Sequence, residues 1–164
     1  MRTTLALCLL TLALLSACGR EAAVPTGSGS VGAAPQEATA RSGDVTVHAS
    51  VLQTSALSPA VAQQYGIVRD DAVVMLLVAV RRGPDGQDVA VPARVSATAT
   101  DLRGQRHTLE LRELRTGEAG SAQLLDYIGT VDIALPDTMR FDVTVVPESG
   151  VGTNLQFSRE FYPR

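Results

Sequence analysis

Apolar and polar residues alternate over most of the chain after residue 44, and this period of two constrains the fold more than any other feature of the sequence. Successive side chains of a β-strand point to opposite faces, so such alternation is typical of strands that bury one face. Segments containing Gly or Pro separate the alternating stretches, where turns are expected. The stretches are residues 45–51, 93–100, 108–112, 127–133, 141–145 and 155–161.

The segment Ala72–Val80 departs from this pattern because it is apolar at every position. Such a run predicts a strand that is covered on both faces. We expect one set of alternate residues to face the core and the other to be covered by flanking segments or by a partner. The candidate partner surface consists of Val73, Met75, Leu77 and Ala79.

One short helix is predicted from about Pro59 to Tyr65. Ser58 suits the N-cap, Pro59 suits the first turn, and Gly66 suits the left-handed position after the helix. Together with about seven strands, this predicts an all-β domain over residues 43–164. The expected architecture is an immunoglobulin-like antiparallel β-sandwich with one short helix.

The N-terminus has the features of an export signal. A single Arg precedes an apolar run over residues 5–15, which is too short to span a bilayer as a helix. The run ends at Leu15-Ser16-Ala17-Cys18, which resembles the lipobox of bacterial lipoproteins. The resemblance implies removal of residues 1–17 and acylation of Cys18, which would then anchor the protein in a membrane. The alternative is an ordinary secretory signal that happens to end at a cysteine.

Residues 18–42 are rich in Gly, Ala, Ser, Thr and Pro, and we expect them to form the lipidated cysteine and a flexible tether. Gly19 follows the cysteine, and by resemblance to sorted lipoproteins this favours the outer membrane, facing the periplasm, over the inner membrane. The sequence therefore places the protein in the cell envelope.

Composition excludes several functions. The chain contains no Lys, which rules out Schiff-base, P-loop lysine and Ser-Lys chemistry. It has no Trp and a net charge of −3, so we expect no nucleic-acid partner. No thiol remains after residue 18, and no G-x-S-x-G motif is present. We therefore expect no enzyme activity and no cofactor.

His48 and His107 are the two imidazoles, and they are the candidate metal ligands. No local spacing brings them together. The first is on the polar side of its alternating stretch, whereas the second has the same parity as the apolar Leu109. We expect no metal site, and a metal-handling lipoprotein that uses both residues is kept as an alternative.

Five segments of the domain are distinctive when taken together, namely residues 43–48, 57–67, 97–105, 127–130 and 140–145. They resemble a family of bacterial envelope proteins called domain of unknown function 4426. The resemblance implies an exported β-rich domain and no particular activity.

Three functions remain open from the sequence. The favoured one is a lipid-anchored, non-catalytic sandwich that binds a protein partner in the envelope, because Ala72–Val80 accompanies a membrane anchor and a tether. The alternatives are the metal-handling lipoprotein and a hydrolase whose catalytic residues the sequence does not reveal.

Overall fold

A computed structural model describes residues 36–117 and 124–164. Within these ranges the chain forms two antiparallel sheets that face one another across a shared core. The all-β sandwich predicted from the alternation is therefore confirmed. The strands are β1 (Gln36–Ser42), β2 (Val45–Gln53), β3 (Val73–Arg82), β4 (Val89–Ala90), β5 (Ala93–Thr100), β6 (Arg106–Leu109), β7 (Arg112–Thr116), β8 (Leu124–Asp132), β9 (Asp137–Pro147) and β10 (Thr153–Phe161).

The first sheet has the order β1-β2-β3-β8-β7, with the short β4 paired to the end of β3. The second sheet has the order β10-β9-β5-β6. Alternate residues of most strands meet in the core, where the largest fully buried side chains include Leu76, Phe141 and Met139. Phe141 stacks on Phe157 with ring centroids 5.3 Å apart and meets the edge of Phe161 at 6.5 Å.

The predicted helix is confirmed as α1, Pro59–Tyr65. Ser58 Oγ accepts a hydrogen bond from the backbone N–H of Val61 at 3.2 Å, and Gly66 takes the left-handed conformation with φ of 64°. A 3-10 turn over Thr54–Ala56 precedes the helix. These elements form the connection between β2 and β3.

The predicted tether was too long at its C-terminal end. Residues Gln36–Ser42 pair with β2 along their whole length, so the sandwich begins before residue 43. Ala38 and Ala40 pack against the core, and their small size makes the alternation of β1 weak in the sequence. The tight turn at Gly43, with φ of 63°, joins β1 to β2.

The described part of the chain holds ten strands instead of about seven. Besides β1 and β4, the difference lies in the alternating stretch 108–112, which contributes to two strands. β6 belongs to the second sheet and β7 to the first, so the chain crosses between the sheets at Glu110 and Leu111. Leu109 is buried and Leu111 packs against the same core, which is why the alternation continues through the crossing.

Candidate functional site

A pocket of about 330 Å³ lies where the chain leaves α1, and it is called the helix-exit pocket below. One wall is the segment after the helix, which the backbone hydrogen bond from Ile67 N to Ala62 O holds at 2.8 Å. The other walls come from the ends of β3 and β8 and from the crossing between β6 and β7. The lining residues are Gly66, Ile67, Val68, Val73, Glu110, Arg112, Ile128, Gly129, Thr130 and Asp132.

The lining combines an apolar base with charged residues. Val73 and Ile128 supply aliphatic surface from neighbouring strands, and Ile128 is only 3% exposed. Arg112 donates from its guanidinium to the carbonyl of Tyr65, so this cation is held by the end of the helix. These residues can bind a ligand through apolar contact and charge.

Two carboxylates complete the charge pattern. The side chains of Glu110 and Asp132 make no hydrogen bond or ion pair with any described residue, and both residues are exposed. The lining contains no Cys, His or Ser, and its one hydroxyl belongs to Thr130. The pocket thus combines aliphatic surface, one cation and two carboxylates, which are groups that can bind a ligand.

Gly129 allows the crossing formed by Glu110 and Leu111 to approach the backbone of β8 closely beside the pocket. A Cβ atom at this position would lie 2.9 Å from the carbonyl oxygen of Glu110 and 2.9 Å from Leu111 Cδ2. Such distances are shorter than carbon–oxygen and carbon–carbon contacts allow, so a larger residue would displace the crossing. The absence of a side chain at 129 lets β6 and β7 join across the edge of β8.

The candidate partner surface on β3 is narrower than predicted. Val74, Leu76 and Val78 face the core, which leaves Val73, Met75, Leu77 and Ala79 on the outer face. Met75 is 5% exposed and Ala79 is 9% exposed, so neither offers an open surface. Val73 lines the helix-exit pocket and Leu77 is half-buried. Only these two positions of the set remain partly accessible.

At the C-terminal end of β3, an ion pair occupies the outer face of the strand, so among the described residues no open apolar surface continues there. Arg81 pairs with Asp126 of β8 and also donates to the carbonyl of Leu125 at 2.9 Å. The two charged side chains are only 13% and 16% exposed, so they are satisfied by each other and by the backbone. The accessible part of the face therefore lies toward the helix-exit pocket.

The structure does not bring His48 and His107 together. His48 lies in β2 on the outer face of the first sheet, where its Nδ1 is 2.5 Å from Glu37 Oε1 of β1. His107 lies in β6 of the second sheet, on the core-facing side, because it pairs with the fully buried Ala99. The first sheet separates the two imidazoles, so the two-histidine site kept as an alternative is not formed. Within residues 36–117 and 124–164, no three His, Cys, Asp or Glu residues are grouped to hold a metal.

Two buried polar groups that the sequence did not single out have structural roles. Desolvation raises the pKa of Asp101, but hydrogen bonds from Gln105 N–H at 2.7 Å and from Arg103 outweigh it and hold the pKa below its usual value. The Tyr127 hydroxyl accepts a 2.7 Å hydrogen bond from Ala93 N–H, and desolvation raises its pKa. The first residue stabilises the β5–β6 turn, and the second links the two sheets.

A third polar group holds the end of β2. Gln53 Nε2 donates to the carbonyls of Asp71 and Tyr162, each at 2.9 Å, while its Oε1 accepts from Arg164. Thr54 and Asp70 exchange hydrogen bonds beside it. The network joins the C-terminal residues to the segment that leads into β3. It is therefore structural support for the pocket end of the sandwich.

Cys18 and the rest of residues 1–35 lie outside the described part of the chain, as do residues 118–123. The expectations about the signal, the lipidation site and most of the tether therefore remain predictions. Among the described residues, no helix has the length and apolar character needed to cross a membrane.

The described residues thus form an antiparallel β-sandwich with a small pocket of mixed apolar and charged lining at one end. Residues 39–164 match the family model described as domain of unknown function (DUF4426), and the chain belongs to that family. The family resemblance noted from the sequence is thus confirmed. Among curated proteins, none matches the chain.

Solved structures that are similar to the chain include two proteins of bacterial origin. A DUF4426 family protein from Pseudomonas aeruginosa PAO1 has 28% identity and a TM-score of 0.59, with 78% of this chain and 96% of that chain covered. FetP from uropathogenic E. coli strain F11, which was expressed in the periplasm of E. coli, has 12% identity and a TM-score of 0.53. That match covers 79% of this chain and 95% of FetP, and it supports the fold alone.

Proposed function

We propose that this chain is a cell-envelope lipoprotein whose β-sandwich binds a protein partner without catalysing a reaction. Lipid on Cys18 would hold it in the outer membrane, facing the periplasm. The support for the anchor is the segment Leu15-Ser16-Ala17-Cys18 directly after a short apolar run. Two or more acyl chains anchor a protein stably, whereas one binds only marginally.

The observation that carries the binding role is the helix-exit pocket. It offers aliphatic surface from Val73 and Ile128 next to the carboxylates of Glu110 and Asp132, which have no described partner. Its rim residue Val68 is 77% exposed, so it adds accessible aliphatic surface beside the pocket. Aliphatic surface beside carboxylates supplies both apolar contact and charge, which supports a role in recognition.

The position of the pocket suits a membrane-proximal partner. Gln36, where the sandwich begins, lies in one cross-strand row with Val51, Leu76 and Gly129. The pocket therefore lies at the level along the strands where the described domain begins. Residues 18–35 can span at most about 60 Å when fully extended, so an anchor on Cys18 would keep the start of the sandwich within about that distance of the membrane.

The anchor is tested by replacing Cys18 with Ala. We expect the unaltered protein to incorporate labelled fatty acid and to sediment with outer membranes, and the variant to do neither. A variant that still sediments with membranes after a high-salt wash would refute lipid anchoring.

The partner role is tested with a photo-crosslinking amino acid placed at Val68 in cells. The matched control position is Leu102, which is 76% exposed on the β5–β6 turn and outside the pocket lining. We expect a discrete cross-linked protein from Val68 and none from Leu102. Equal cross-linking from both positions, or none from Val68, would contradict a partner at the pocket.

A further inference from the structure

The edge of β8 is open beside the helix-exit pocket. β8 pairs with β3 as far as Asp132, but on its other side the pairing with β7 stops at Ile128. The chain before β7 does not continue the sheet, because Glu110 and Leu111 turn across Gly129 toward the second sheet. Among the described strands, none pairs with that side of β8 between Gly129 and Asp132.

The hydrogen-bond pattern shows which backbone groups face the open side. Ile133 N–H donates to the carbonyl of Ala72 at 2.8 Å, so residue 133 points its backbone groups toward β3. In an antiparallel pair, successive residues direct these groups alternately to one neighbour and to the other. Thr130 and Asp132 therefore direct their N–H and C=O groups toward the side that β7 leaves unoccupied.

Space and charge at this edge suit an added strand. The helix-exit pocket provides about 330 Å³ next to Thr130 and Asp132, and Ile67 and Val68 form its opposite wall. Glu110 and Asp132 carry negative charges without described partners, while the nearby Arg112 is held by the Tyr65 carbonyl. The charge that complements this arrangement is positive.

We infer that the open edge of β8 at Thr130 and Asp132 receives an extended, basic segment of the protein partner, which pairs with it as an additional strand. The added backbone satisfies the exposed N–H and C=O groups, as in other cases of strand addition to a sheet edge. Its aliphatic side chains fill the helix-exit pocket, and its Lys or Arg side chains meet Glu110 and Asp132. This inference rests on the proposed partner-binding function and names the chemistry of the segment bound.

The test uses the full lipidated chain in detergent micelles and a fluorescent, blocked peptide of alternating valine and lysine as the probe. Two control peptides carry either glutamate in place of lysine or methyl groups on all backbone amides. We expect fluorescence anisotropy to show at least about tenfold tighter binding of the lysine peptide than of the glutamate peptide. The methylated peptide should not bind, because strand pairing needs its N–H groups.

Matched variants locate the site. Glu110→Gln and Asp132→Asn preserve side-chain shape, and each should weaken binding by about threefold, as expected for an exposed ion pair. Asp88→Asn removes the same charge from the exposed β3–β4 turn, outside the pocket lining, and should change nothing. Thr130→Pro removes the outward N–H and should abolish binding if circular dichroism shows that the variant is folded.

Binding that is equal for the lysine and methylated peptides, or unchanged in Glu110→Gln and Asp132→Asn, would overturn the inference. No binding of the lysine peptide would do the same. If any of these results is obtained and the cross-link from Val68 is still formed, the proposed partner function stands. Only the addition of a basic segment as a strand is then refuted. If that cross-link is also missing, both proposals fail.

Discussion

Replacing Gly129 with Ala tests whether the close crossing beside β8 shapes the pocket end of the sandwich. The new Cβ would lie 2.9 Å from the Glu110 carbonyl oxygen and 2.9 Å from Leu111 Cδ2. The first of these contacts involves the backbone, so a change of side-chain rotamer cannot relieve it. Overpacking of this kind typically costs about 1–3 kcal/mol.

A matched control separates this steric cost from the general effect of removing a glycine. At Gly152 an added Cβ would lie 3.5 Å from the Val145 carbonyl oxygen and 3.7 Å from Val146 Cγ2, which is ordinary contact. Neither glycine has a positive φ. A compatible Gly→Ala change stabilises by about 0.4–1 kcal/mol through the unfolded state. The difference between the two variants should therefore approach the full steric cost of about 1–3 kcal/mol.

The measurement is urea unfolding of residues Ala33–Arg164, the compact unit, followed by circular dichroism. Gly129→Ala should have a lower midpoint at an unchanged m-value, and its melting temperature should fall by about 3–12 °C relative to Gly152→Ala. If the two variants are equally stable, the close approach at Gly129 does not constrain the fold and the crossing can shift freely.

Further predictions concern buried groups and are each checked by unfolding measurements. Tyr127→Phe removes the acceptor of the Ala93 N–H and should lower the free energy of unfolding by about 1–3 kcal/mol; an unchanged midpoint would show that water replaces the hydroxyl. The lowered pKa of Asp101 means that its stabilisation is present above the unfolded pKa of about 3.9 and is lost as pH falls through the folded pKa. Asp101→Asn should therefore destabilise at neutral pH and much less at acidic pH, and a pH-independent loss would contradict a role for the charge. Met75→Asp buries an unpaired charge and should cost several kcal/mol, whereas Leu77→Asp, at a half-buried position, should cost less; the reverse order would refute the assignment of the covered part of the outer face.

Local sequence determined the strands and the helix. Alternation depends only on which face of a strand meets the core, and it identified most of the strands without knowledge of their neighbours. Ser58 and Gly66 supply the caps of α1 through bonds within a few residues, so this element was also predictable. The family could be recognised from the same segments, and the expected anchor at Cys18 comes from sequence alone.

Pairing between strands was decided only by the tertiary structure. The alternation of β1 is weak in the sequence, and this segment forms a strand because its backbone pairs with β2 along residues Val45–Val51. The stretch 108–112 alternates without interruption, yet its two ends belong to different sheets. Alternation is the same whichever neighbour a strand has, so it cannot reveal such a crossing.

The helix-exit pocket also depends on contacts between segments that are far apart in the sequence. The pocket gathers the segment after α1, the crossing at Glu110 and the end of β8, which are far apart in the chain. Its open edge exists because β7 starts at Arg112 and pairs no further than Ile128. The sequence determined which residues of each strand share a face, whereas register and the path of the chain, set by core packing, determined which of these residues meet.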